Sequence, residues 1–194
     1  MSKIAYQYEY QIDVKDIEFT PHKRSAVWGS SYEKRSGALT INQTNMTKQE
    51  QYEALLPQIQ AVMDKNVDII ANMANMAAML HETFGFWWTG FYRVINNELV
   101  LGPFQGPLAC TRIAYGRGVC GSAWKERRTL VVPDVEEFPG HIACSSASRS
   151  EIVVPVFHNN EVIAVLDIDS DRLATFDETD AKYLERIVML LIIP

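Results

Sequence analysis

The three cysteines of this 194-residue chain, Cys110, Cys120 and Cys144, all fall between Phe104 and Pro155. Cys144 lies in the stretch from Pro133 to Ser150, which has neither helical nor strand periodicity and is rich in Pro, Gly, Ser and charge. A connection of that length inside a compact domain is more often functional than idle. Thiol chemistry needs a reachable cysteine whose thiolate is favoured by nearby positive charge, and His141 and Arg149 flank Cys144 in sequence. The opposing reading, a small buried hydrophobe, suits a cysteine in an apolar element better than one in a polar loop.

A second set of candidates is acidic. If Val162 to Asp169 is a strand, its alternation places Asp167 and Asp169 on one face with Ile163 and Val165. Two carboxylates at the end of an otherwise apolar strand are costly unless they meet water, a cation or each other, so they are a candidate pocket floor. Whether Glu151 joins them depends on the turn at Asn159-Asn160. A two-residue turn pairs Glu151 with Ile168 and sends it to the other face, whereas a three-residue loop with a left-handed Asn160 and a bulge pairs it with Asp167. The second arrangement is the expectation.

The elements that must position these groups are legible in outline. Thr47-Lys48-Gln49-Glu50 is a capping box, and Tyr52, Leu55, Leu56, Ile59, Val62 and Met63 follow at helical spacing, with Pro57 expected to kink the helix. A second stripe runs through Ile69, Ile70, Met73, Met76 and Leu80, and reads as core packing rather than a cofactor box. Phe86 to Ile95 and Glu98 to Phe104 form a hairpin around Asn96-Asn97, and Leu108 to Tyr115 reads as a further strand. Gly118 to Trp124 opens a short helix, Thr129 to Val132 is a strand, Ile152 to Phe157 pairs with Val162 to Asp169, and a last helix runs from an Asp177 cap to about Ile192. Hairpins throughout, with helices before, between and after, imply an α+β domain with a central antiparallel sheet flanked by helices.

Composition narrows the function. With 47% hydrophobic and 22% charged residues the chain is of the soluble globular class, and a net charge of -6 gives no electrostatic reason to bind nucleic acid or an anionic membrane. The first ten residues lack the pattern of a secretory signal and no apolar run approaches a membrane span, so a cytoplasmic location is expected. In that reducing compartment three cysteines point to free thiols, a metal site or a transient catalytic disulfide. Cys110, Cys120, Cys144 and His141 carry zinc-ligating atoms but no paired C-x-x-C spacing. Gly116-Arg117-Gly118 lacks the third glycine of a dinucleotide site. Residues 1–46 read as an N-terminal extension and 47–194 as the catalytic domain.

Gly102 to Gly106, Ala109-Cys110, Gly116 to Gly121, Asp134-Val135, Phe138 to Cys144, Ser150 to Pro155 and Val165 to Asp169 together resemble the GAF-domain free methionine-(R)-sulfoxide reductases. The resemblance covers about Thr47 to the C-terminus and rests above all on the spacing of the three cysteines; residues 1–46 match nothing associated with that family. It implies a single GAF (PAS-like) domain in which Cys144 is the nucleophile, Cys110 the resolving thiol and Cys120 a second one. It implies that Glu151, Asp167 and Asp169 hold the substrate beside an aromatic wall of Trp88 and Tyr92. It further implies thioredoxin as reductant, no bound cofactor and a homodimer, for which the apolar stripes of the first two helices and the last offer surfaces. The alternative is a GAF module that senses a small ligand or oxidants without catalysis.

Overall fold

The computed structural model describes residues 46–140 and 147–192. His141 and Cys144 therefore lie outside the described residues, as does the extension up to residue 45. Helix α1 (Lys48–Val62) starts at the expected capping box: the Thr47 hydroxyl accepts from the Glu50 N–H, and the Glu50 carboxylate accepts from the Thr47 N–H. Each group satisfies a backbone or side-chain partner that a helix start leaves open. Helix α1 continues through Pro57. Helix α2 (Ile69–Phe84) is capped by Asp68 and ends at Gly85, whose φ of 63° is the left-handed conformation that glycine adopts freely.

Six strands follow: β1 (Trp88–Ile95), β2 (Glu98–Gln105), β3 (Arg112–Ala114), β4 (Leu130–Val132), β5 (Ser150–His158) and β6 (Glu161–Ser170). They form one antiparallel sheet in the order β3-β2-β1-β6-β5-β4. Helix α3 (Gly118–Glu126) falls between β3 and β4, and α4 (Glu178–Met189) closes the domain from an Asp177 cap. Of the expected 108–115 strand, Arg112–Ala114 forms β3. Asn96 and Asn97 have φ of 51° and 62°, and Asn159 and Asn160 have φ of 48° and 63°. Both hairpins thus use two-residue turns with two left-handed residues, which suit the strand twist.

The β5–β6 turn corrects the expected register. His158 pairs with Glu161 and Phe157 with Val162, but Val156 pairs with Ala164, so Ile163 is an extra residue in β6. Glu151 consequently lies opposite Asp169, not Asp167. The bulge also moves Ile163 off the face it was expected to share with the aspartates: it packs with the helix-covered core, while Val162 and Val165 pack on the other side. The shared face of Glu151, Asp167 and Asp169 survives, because one extra residue restores the parity that a two-residue turn alone would reverse.

The two faces are covered differently. On one, α1, α2 and α4 bury Tyr52, Met73, Met76 and Leu184 against Ile152, Val154, Leu166 and Ile168. The helix stripes offered as possible dimer surfaces are thus largely occupied within the chain. Lys48 ties α1 to the start of α4 by donating to Asp177 at 2.8 Å, and Tyr52 donates to the buried Asp180 at 2.9 Å. On the other face, α3 and Val135 cover Tyr92, Leu99, Ile113, Val153 and Val165. Among the described residues no helix is long and apolar enough to cross a membrane.

Candidate active site

Strand pairing assembles the site. In β1, Trp88 lies opposite Asp169, Gly90 opposite Asp167 and Tyr92 opposite Val165. In β5, Glu151 lies opposite Asp169 and Val153 opposite Asp167. Alternation places all of these on the face away from α1 and α2. Trp88, Tyr92, Glu151, Asp167 and Asp169 floor a cavity of about 560 Å³, counted out to its open mouth, whose sides include Ile113, the start of α3 and Ser148. Trp88, Tyr92, Cys120, Glu151, Asp167 and Asp169, chosen from sequence, all line it.

Small residues make the aromatic wall possible. A Cβ on Gly90 would come within 2.5 Å of the Trp88 ring and 2.4 Å of the Phe104 Cβ. Without that Cβ the Trp88 ring stacks on Phe104 at 5.4 Å and faces Tyr92 at 5.9 Å between centroids. The Trp88 Nε1–H donates to the Pro107 carbonyl at 3.1 Å, and the Tyr92 hydroxyl donates to the Cys110 carbonyl at 3.0 Å. Each buried aromatic thus has its polar tip satisfied by the loop after β2. At Gly121 a Cβ would lie 2.5 Å from the Ala114 carbonyl, so glycine lets α3 press onto the end of β3. That contact carries Cys120, one residue earlier, into the pocket.

The carboxylates are electrostatically strained. Glu151 and Asp167 are each 6% exposed. Burial raises the Glu151 carboxyl well above its ordinary range, and the charges of Asp167 and Asp169 add to the effect. Burial and Asp169 raise Asp167 likewise. Asp169 is only half-buried and accepts a hydrogen bond from the Ser148 hydroxyl; burial still raises it from 3.8 to about 6. The three groups therefore hold protons at pH values where ordinary carboxylates are ionised.

The cysteines have separate environments. Cys110 is disulfide-bonded, and Cys120 is a free, buried thiol. Burial, then the Asp167 and Glu151 charges, push the Cys120 thiol well up, and its Sγ donates to Glu151 Oε1 at 3.9 Å. Its setting is the reverse of the electropositive surroundings that favour a thiolate. Sequence reasoning missed Ser148, one serine among several in its stretch, and the rim residues Trp87 and Leu108. The adjacent Trp87-Trp88 pair was the available signal for the first of these. Nothing local distinguishes Leu108.

An antiparallel sheet with helices packed on one face and a small-molecule pocket under loops on the other is the architecture of a GAF domain, and residues 68–192 match the GAF domain family. Over 146 residues the chain is 60% identical to GAF domain-containing protein A of Dictyostelium discoideum, which covers 75% of this chain and 92% of that one. It is 44% identical over 147 residues to the free methionine-R-sulfoxide reductase of Escherichia coli, covering 75% and 89%. Among solved structures it is similar to a free methionine-R-sulfoxide reductase from Neisseria meningitidis in complex with its substrate, with a TM-score of 0.74 and 57% identity over 75% of this chain and 89% of that one. The chain belongs to the GAF-domain free methionine-R-sulfoxide reductases.

Proposed function

We infer that this protein is an oxidoreductase that reduces free methionine-R-sulfoxide to methionine. The observation that carries this reading is the meeting of three carboxyl groups, two of them buried, with the Trp88–Tyr92 wall in one pocket, within a chain so similar to reductases of that name. The aromatic wall suits the methyl-sulfur end of the substrate. The carboxylates suit its ammonium group, which a peptide-bound methionine lacks, and so favour the free amino acid.

In the proposed mechanism Cys144 is the nucleophile. Its thiolate attacks the sulfoxide sulfur while a protonated carboxyl of the cluster donates to the sulfoxide oxygen. The oxygen is transferred to Cys144, which is oxidised by two electrons to a sulfenic acid as methionine leaves reduced by two. The Cys110 thiol then attacks the sulfenic sulfur, water departs, and a disulfide forms. A thioredoxin-type dithiol reduces that disulfide by exchange and is itself oxidised. Supporting Cys110 as the resolving thiol are its disulfide-bonded state and the Tyr92 bond that holds its carbonyl beside the pocket. Cys120, whose buried thiol lines the same pocket, is the second resolving thiol of this reading.

The chemistry is assigned to residues 47–194, with 1–46 as an extension, acting in the cytoplasm as a homodimer without a bound cofactor. The test is methionine release from each sulfoxide epimer, free and N-acetylated, with thioredoxin or dithiothreitol as reductant. Turnover confined to the free R epimer and abolished in Cys144→Ser is the expected result. Reduced wild-type protein that turns over neither epimer would overturn the reading.

A further inference from the structure

Cys120 is only the second resolving thiol of the proposed cycle, yet its surroundings are specific. One ligand atom from each of Cys120, Glu151 and Asp167 lies within 4.8 Å of the other two, and all three residues are buried. They come from α3, β5 and β6, so the convergence is a product of packing rather than of one acidic run. The Asp167 carboxyl lines the cavity, and its buried Oδ1 has no hydrogen-bond partner. A buried polar atom left in that state costs on the order of 1–3 kcal/mol. Among the described residues no lysine, arginine or histidine forms an ion pair with Glu151, Asp167 or Asp169.

A thiol sulfur with two carboxylate oxygens is a donor set for a thiophilic divalent cation, since sulfur disfavours Mg²⁺ and Ca²⁺. Three protein ligands also leave a fourth position open toward the cavity. We propose that Cys120, Glu151 and Asp167 bind a cation of the Zn²⁺ class, and that the bound cation blocks the pocket. Binding forms one metal–sulfur and two metal–oxygen bonds and releases to solvent the thiol proton together with any proton held by the two carboxyl groups. Bond lengths of about 2.0–2.3 Å bring the donor atoms to separations of roughly 3.5 Å, against 3.9 Å between Cys120 Sγ and Glu151 Oε1 and no more than 4.8 Å within the trio here.

The experiment titrates Cd²⁺, which takes the same ligand types and reports thiolate bonding by an ultraviolet charge-transfer band, into protein carrying its disulfide. In that form Cys120 is the free cysteine among the described residues, and the proposed Cys110–Cys144 disulfide removes competition from the redox thiols. Saturation of the band at one equivalent is expected, with its loss in Cys120→Ser and an affinity at least tenfold weaker in both Glu151→Gln and Asp167→Asn. Circular dichroism melts check that each variant is folded. No band in the wild type, a band that survives Cys120→Ser, or one that both carboxylate variants leave unchanged overturns the proposal.

No turnover is read in this titration, so failure of the reductase reading leaves its outcome intact. Displacement of Cd²⁺ by free methionine-R-sulfoxide is expected from the shared carboxylates, and that arm alone rests on the proposed substrate. Tight cadmium binding without displacement would uphold the cation site and count against those carboxylates as the substrate site.

Discussion

The two faces of strands β5 and β6 are one residue apart in sequence and opposite in character. Ile152, Val154, Leu166 and Ile168 are fully buried against helices, with no charge among them. Glu151, Asp167 and Asp169, their immediate neighbours, crowd three carboxyl groups into a pocket. The first face is an ordinary source of stability, at about 1.5–3 kcal/mol for each large side chain fully buried. The second works against stability, because desolvation and mutual repulsion oppose ionisation of each group. The same backbone ladder thus carries an element that holds the fold together and one held in an unfavourable state by that fold. Such opposition is characteristic of groups arranged for chemistry.

Substitutions on the two faces should therefore separate activity from stability. The largest effect is expected from Glu151→Gln and Asp167→Asn, each lowering kcat/KM for free methionine-R-sulfoxide by about 10²–10⁴-fold if the group transfers a proton. Their urea midpoints should be unchanged or raised, since an amide does not suffer the repulsion that a carboxylate does. Steady-state kinetics beside urea melts would break the comparison if both variants lost stability and kept activity.

Leu166→Ala, on the helix-covered face, should do the reverse. It removes a fully buried side chain and is expected to cost about 2–5 kcal/mol of unfolding free energy. Turnover per folded molecule should stay within a few fold of wild type. Equilibrium urea unfolding, with activity normalised to the folded fraction, measures both quantities.

A smaller and pH-dependent effect is expected from Asp169→Asn. Because burial raises the Asp169 carboxyl from 3.8 to about 6, the folded protein holds a proton that the unfolded chain has released between those values. The folded state binds more protons there, so this group's contribution to stability falls as pH rises through the window. The variant lacks that contribution, and its urea midpoint should decline less than that of wild type across the same range. Parallel profiles would place the strain elsewhere in the cluster.

Much of this contrast could be read before any coordinates. The capping box at Thr47, the Asp177 cap, the Asn96-Asn97 turn and the helix stripes follow from local rules acting over a few residues. The three pocket carboxylates and the aromatic wall followed from strand alternation together with family resemblance. Asp167 and Asp169 are bound to share a face wherever β6 is a regular strand, because side chains there repeat every second residue.

Tertiary structure decided what alternation could not. Ile163 became the extra residue in β6 because the core accepts Ile163 and Ala164 on the helix side and Val162 and Val165 on the other, and no turn rule states that preference. That choice set Glu151 opposite Asp169. Likewise, Cys120 meets Glu151, 31 positions away, only because α3 packs closely at Gly121. Ser148 reaches Asp169 only because the chain returns beside β6. Local rules govern residues within a turn or a strand, whereas these contacts depend on which of several nearly equivalent registers and helix placements buries both faces of the sheet at once.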